Sequence, residues 1–189
     1  MTNKKGFFIS SETPAWVDKE SLLKFKNEDF RRIVDFFVFL NPCKSICKRA
    51  DFSAFYNWKS PWRKPYKLNE QLKKASSNPK LLFSAENYEA VESALEKSRL
   101  KDNFPDDISN ERVCFHNGQT SQFMSLFYHL RNSFAHSRFA IKDNDNDWIF
   151  IFEDVTGIGE NTRVSARMIL KKSTLLKWIE IIEGGEKNS

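Results

Sequence analysis

The chain has 189 residues, of which 40% are hydrophobic and 29% charged, and its eighteen Phe and five Trp supply a large apolar payload. That length suits one domain able to bury about 70% of its unfolded-chain surface. Thirty Lys and Arg against twenty-five Asp and Glu give +5, a mild excess that suits a polyanion, while the longest apolar stretch, Ile33 to Leu40, is interrupted by Asp35 and excludes a membrane span.

Residues 1–17 read as an N-terminal extension closed by Pro14. Lys4 and Lys5 precede only Phe7-Phe8-Ile9, too short a core for a signal peptide. Three cysteines without framework spacing fit a reducing compartment, so a cytoplasmic location is expected. Residues 18–40 carry apolar positions at helical spacing, among them Leu22, Phe25, Ile33, Phe36 and Leu40, and Asn41-Pro42 stops the helix. A short helix is expected over 43–56.

Residues 57–67 are broken by Pro61 and Pro65 and interleave aromatic rings with cations: Trp58, Lys59, Trp62, Arg63, Lys64, Tyr66 and Lys67. A single-strand groove uses that mixture, bases stacking on rings while cations track phosphates. The same composition also suits a Pro-stiffened loop that packs its rings and solvates its charges. Helices are expected over 69–77 and 84–101, with a Ser-Ser-Asn-Pro break at 76–79. The polar residues 102–111 around Pro105 read as a loop.

A helix over 119–137, capped by Thr120 or Ser121, carries the most informative segment. Phe123, Phe127, Leu130 and Phe134 form its apolar stripe, and Ser125, His129, Asn132 and His136 fall together on the opposite side. Near its end stand Arg131-Asn132-Ser133-Phe134-Ala135-His136. A permanent cation, a carboxamide and an imidazole are the groups needed to hold a phosphodiester and move a proton without a metal. On a regular helix Arg131 and His136 diverge by roughly 140°. Either the helix frays before His136, or a second copy packs alongside and completes the site about a two-fold axis.

Beyond the motif the apolar period changes. Phe139 to Ile141, Trp148 to Phe152 and Arg163 to Leu170 read as short strands around an Asp/Asn turn and a Gly157-Ile158-Gly159 loop. Leu175, Leu176, Ile179 and Ile182 mark a last helix over 173–183, ended by Gly184-Gly185. The expected fold is mainly α: a helical bundle over residues 1–189 with a small antiparallel β insertion after the motif helix.

Two metal arrangements are weighed by spacing. Cys43, Cys47, Cys114 and His116 do not have finger or ribbon spacing, so buried small hydrophobes are the expectation and no metal or other cofactor is expected. Asp143-Asn144-Asp145-Asn146-Asp147 mimics the start of a calcium loop, but Trp148 stands where glycine is required. A solvated hairpin turn accounts for it.

The Arg-Asn-x3-His pattern at the end of a Phe-rich helix resembles the HEPN superfamily (higher eukaryotes and prokaryotes nucleotide-binding), many members of which are metal-independent endoribonucleases of toxin and defence systems. The run 128–141, YHLRNSFAHSRFAI, followed by DWIFIFED at 147–154 and an Arg-Met-Ile-Leu strand, looks like a plasmid- and phage-associated subfamily. The resemblance implies a HEPN-like helical bundle and RNA cleavage by 2′-hydroxyl attack, leaving a 2′,3′-cyclic phosphate and a 5′-hydroxyl. It implies His136 as acid or base, Arg131 on the phosphoryl oxygens and Asn132 as the group that orients the imidazole. A homodimer with a composite site, meeting through the face of Ser125, His129, Asn132 and His136, is expected, as is a role in phage defence or as a toxin with a possible antitoxin or other regulatory protein. His129 and Arg138 are further candidates for RNA contact. Arg138 stands where HEPN toxins silenced by a nucleotidyltransferase carry Tyr, which argues against that mode of control. The alternatives are a catalytically silent HEPN-like dimer that binds RNA or a partner protein, and a structural or inhibitory protein in which the motif merely packs.

Overall fold

The computed structural model describes residues 17, 19–41, 56, 65–76, 82–101, 107–119, 121–144 and 147–185. The expected helix over 18–40 is three pieces: α1 (Lys19–Leu23), a 3-10 turn (Lys24–Lys26), and α2 (Glu28–Val34), which continues as a π-helical segment (Asp35–Leu40). The break is local chemistry. Asn27 is extended and its side chain accepts from Phe30 N, so it caps a new helix instead of continuing the old one. The expected helix over 43–56 lies outside the described residues, as does most of the aromatic-cationic segment.

α3 (Pro65–Ala75) opens on Pro65, a residue suited to a first helical turn because its missing N–H is not needed there. Next come β1 (Leu82–Ala85), α4 (Tyr88–Lys97), β2 (Arg112–His116) and α5 (Gln122–Ala135). The chain ends through β3 (Phe139–Asn144), β4 (Asp147–Thr156), β5 (Arg163–Lys171) and α6 (Lys172–Glu183). The strands form one sheet in the order β1-β2-β5-β4-β3, with β1 and β2 parallel and the other pairs antiparallel.

A mainly helical bundle is therefore corrected to a mixed α/β fold built on a five-stranded mixed sheet. The β structure is no insertion. β5 is its central strand, and the motif helix α5 packs on that sheet. What escaped the sequence pattern is β1 and β2, placed in a helical stretch and beside a loop. β2 is five residues whose middle three are all buried, so it lacks the alternation that marks a half-exposed strand.

Both faces of the sheet are covered. On one, Phe30, Phe37, Phe127 and Trp178 from α2, its continuation, α5 and α6 meet Phe150, Phe152 and Met168. The Trp178 indole N–H donates to Leu72 O at 2.9 Å, satisfying its one polar atom inside that core. On the other face Val91 and Leu95 of α4 cover Cys114, Ile151 and Ile169. β4 thus sends Phe150 and Phe152 one way and Ile149 and Ile151 the other. No helix among the described residues is long and apolar enough to cross a membrane.

The connection from β4 to β5 depends on Gly157, whose φ is +96°. A Cβ there would run into the carbonyl oxygen of Asn161. Gly157→Ala should cost roughly 1–3 kcal/mol, and each kcal/mol lowers Tm by about 2–4 °C in a chain of this size. A thermal melt reads it directly, and an unchanged Tm would mean that the loop simply moves aside.

Candidate functional site

α5 is placed by its two faces. Ser121 caps it, accepting from Met124 N at 3.4 Å. The stripe Phe123, Phe127, Leu130 and Phe134 enters the first core, where Phe134 has ring centroids of Phe139 and Phe152 at 5.0 Å each. The opposite side bears Ser125, His129 and Asn132, exposed by only 0%, 4% and 8%. The expectation that this side meets a second copy is corrected: the chain's own β4 and the segment after β2 already cover it.

What lies on that side is a connected polar network. His129 Nδ1 is 2.7 Å from Asp154 Oδ2, and its Nε2 is 2.8 Å from His116 O. Each ring nitrogen thus faces an oxygen, one from β4 and one from the end of β2, which fixes the orientation of the ring. Asn132 Nδ2 donates to the same Asp154 Oδ2 at 3.3 Å, while Asp154 Oδ1 accepts from Val155 N at 3.0 Å. Ser125 Oγ donates to Asn117 Oδ1 at 2.8 Å and accepts from Gln119 N at 3.0 Å. A buried carboxylate with three donors is a satisfied one, and the network fixes α5 against the sheet.

The motif residues emerge from this base. Arg131 Nη1 donates to Asn132 Oδ1 at 3.1 Å, so Asn132 links the guanidinium to the buried network. Arg131 Nε is buried and has no hydrogen-bond partner among the described residues. The helix stops at Ala135. His136 is its C-cap, with φ −103° and ψ 12°, and Ser137 is left-handed with φ 55°. The helix ends at His136 rather than fraying before it: the His136 N–H still makes the last helical bond, to Asn132 O, and only its own φ and ψ leave the helical region. His136 is exposed, and only its backbone N–H is tied down, to Asn132 O at 2.9 Å. Asn132 thus steers Arg131 through its side chain and meets His136 through its backbone carbonyl.

Arg138 is engaged elsewhere. Its Nη1 donates to Glu153 Oε1 at 3.0 Å, and Glu153, fully buried, also accepts from Arg167 Nε at 3.1 Å. Trp58, Lys59, Trp62, Arg63 and Lys64 lie outside the described residues. Sequence reasoning missed Asp154 and Glu153 as partners, although two acids closing the apolar run of β4 are a signal in themselves: buried carboxylates need donors. It missed Tyr88 and Ser165 altogether, for neither carries a pattern of its own.

The cysteine expectation is met at the one cysteine described. Cys114 is fully buried, and burial pushes its thiol up to about 12. His116 Nε2 lies 3.0 Å from Glu86 O, and its ring stacks on Tyr88 with centroids 4.6 Å apart. Among the described residues no three His, Cys, Asp or Glu side chains cluster as metal ligands. At pH 8 only about one Cys114 in ten thousand would be thiolate, so iodoacetamide should leave it unlabelled in the native protein and label it after denaturation. Peptide mass spectrometry checks this; native labelling would show that α4 opens.

No protein-family model, curated protein or solved structure matches this chain.

Proposed function

We propose that the protein is a metal-independent endoribonuclease whose site is the exposed end of α5. The observation that carries this reading is that Arg131 and the exposed C-cap His136 both stand at the C-terminal end of α5. One is a guanidinium whose Nη1 is steered by Asn132, and the other is an imidazole exposed at the helix end five residues later. Arg131 would hold the phosphoryl oxygens as charge builds on them. His136 would take the 2′-hydroxyl proton or give one to the leaving 5′-oxygen. The buried pair His129 and Asp154 would act behind Asn132 as positioning residues, since their polar atoms are taken up by each other, Asn132 and the backbone.

RNA rather than DNA is the implied substrate because the attacking group is the 2′-hydroxyl. Phage defence or toxin biology and a regulatory partner follow from the resemblance, and a cytoplasmic setting from the cysteine pattern. Two copies completing one site would have to meet through the exposed tip of Ala135, His136 and Ser137, now that the Ser125–Asn132 side is closed. The experiment is end-labelled RNA incubated with purified protein in excess EDTA. Fragments with 2′,3′-cyclic phosphate ends are expected. No cleavage under any condition overturns the reading, and cleavage lost on chelation replaces it with a metal nuclease.

A silent RNA-binding protein is the second reading. It is favoured by one observation: the His136 ring has no orienting hydrogen bond among the described residues.

A further inference from the structure

The β4–β5 ladder slips where it approaches the polar network. Asp154 pairs with Ala166 but Val155 pairs with Val164, so one step on β4 faces two on β5 and Ser165 is left without a partner residue. That is a β-bulge, a device that re-aims a side chain. Ser165 is 3% exposed, and its Oγ has no hydrogen-bond partner among the described residues. A buried unsatisfied hydroxyl is costly, and native folds rarely keep one without a use.

Ser165 is among the residues that line a pocket of about 210 Å³, with Asn132, Asp154 and Thr156. Four rings border it: Tyr88 and His116, stacked 13° from parallel, and Tyr128, set edge-on to His129. Gly118 makes the wall possible, because a Cβ there would stand 3.0 Å from His116 Nδ1. No Lys or Arg is among the lining residues, and the one carboxylate is already satisfied. The guanidinium of Arg163 stands over the Tyr88 ring, 5.2 Å from its centroid, and is not itself part of the lining. A flat neutral ring with its own donors and acceptors finds ring side chains at the border, and Ser165 behind them as a hydroxyl still to be paired. The volume is below the roughly 300 Å³ at which pockets for drug-sized ligands begin, so it suits one ring system.

The pocket also adjoins the proposed phosphate site. Asn132 lines it on one side and receives Arg131 Nη1 on the other. We infer that this pocket accepts one unstacked nucleobase next to the scissile phosphate, so that the protein chooses its cut by a base as well as by the backbone. The inference rests on the ribonuclease reading and adds the substrate feature that the same site selects. Single-stranded RNA is read by splaying a base onto aromatic side chains and hydrogen-bonding its edge.

The test has two arms. In the first, a randomised RNA pool is cut and the ends sequenced. Wild type should enrich one base at one position beside the cut, and Ser165→Ala should relax that preference by about 5–10-fold, the worth of one hydrogen bond, with less effect on total cutting. Thr156→Ala, at the exposed rim, gives a second variant that leaves the sheet undisturbed. In the second arm the four ribonucleosides are titrated against 15N-labelled protein, and one of them should shift the amides of Gly118, Gln119 and Thr156. Cutting without base preference, together with no nucleoside response, overturns the pocket and leaves the ribonuclease reading standing. If no RNA is cut, the ribonuclease reading fails. The titration then decides for the pocket alone: shifts at those three amides support it, and silence overturns it.

Discussion

His136→Ala and Arg131→Ala should each reduce RNA cleavage in EDTA by about a hundredfold or more, with Tm near that of the wild type. The size follows from the roles: general acid–base catalysis contributes about 10²–10⁴, and a single donor to a developing oxyanion about 10²–10³. Folding should be spared because His136 is exposed beyond the helix end and Arg131 is only partly buried. Arg131→Lys is the sharper variant. It keeps the charge and loses the fork that reaches both Asn132 and a phosphate, so most of the activity should still be lost. Mixing the Arg131→Ala and His136→Ala proteins asks whether the groups come from two copies. Recovered activity together with a dimer by light scattering at micromolar concentration places the site between chains. A monomer that cuts RNA leaves the two groups of one chain to act together. Wild-type rates in both single variants would end the assignment of the motif to catalysis.

The motif was legible because helical periodicity is local. Phe123, Phe127, Leu130 and Phe134 are buried as their spacing requires, and the last three strands and α6 fall within a few residues of the expected limits. The sheet as a whole was not legible. Its order depends on β2, five residues from Arg112 to His116, joining β1 in parallel and β5 antiparallel, and such long-range pairing leaves no periodic trace in a short, doubly buried strand. The error about the partner surface has the same origin. A polar stripe of Ser125, His129 and Asn132 looks like a face turned to water or to another chain. It is buried because Asp154, 22 residues beyond Asn132, supplies an acceptor for both His129 and Asn132. Polarity along a helix reports the need for partners and is silent on whether they come from the same chain. The bulge at Ser165 could not be foreseen either, since a register slip is a property of two strands together.

Glu153→Ala should be the most destabilising single change near the site, costing about 3–5 kcal/mol and lowering Tm by roughly 6–20 °C. Glu153 is fully buried, and each of its oxygens takes a different guanidinium: Oε1 from Arg138 at 3.0 Å, Oε2 from Arg167 Nε at 3.1 Å and Nη2 at 3.0 Å. Arg167 in turn donates to Leu100 O at 2.8 Å, so the carboxylate ties the end of α4 and the segment after α5 to the middle of the sheet. Removing it strands two cations whose burial it justified, in a fold whose whole stability is about 5–15 kcal/mol. Arg138→Ala should behave differently. Its side chain is 24% exposed and Glu153 keeps Arg167, so a loss of about 1 kcal/mol or less is expected. The same variant measures whether Arg138 reaches RNA at all. Engaged with Glu153, it should leave the salt dependence of RNA binding unchanged. A fall in the slope of about 0.7, the share of one phosphate on a single strand, would mean that Arg138 leaves Glu153 when RNA arrives. A Glu153→Ala protein melting within 2 °C of wild type, by contrast, would show that water, not the carboxylate, satisfies these guanidinium groups.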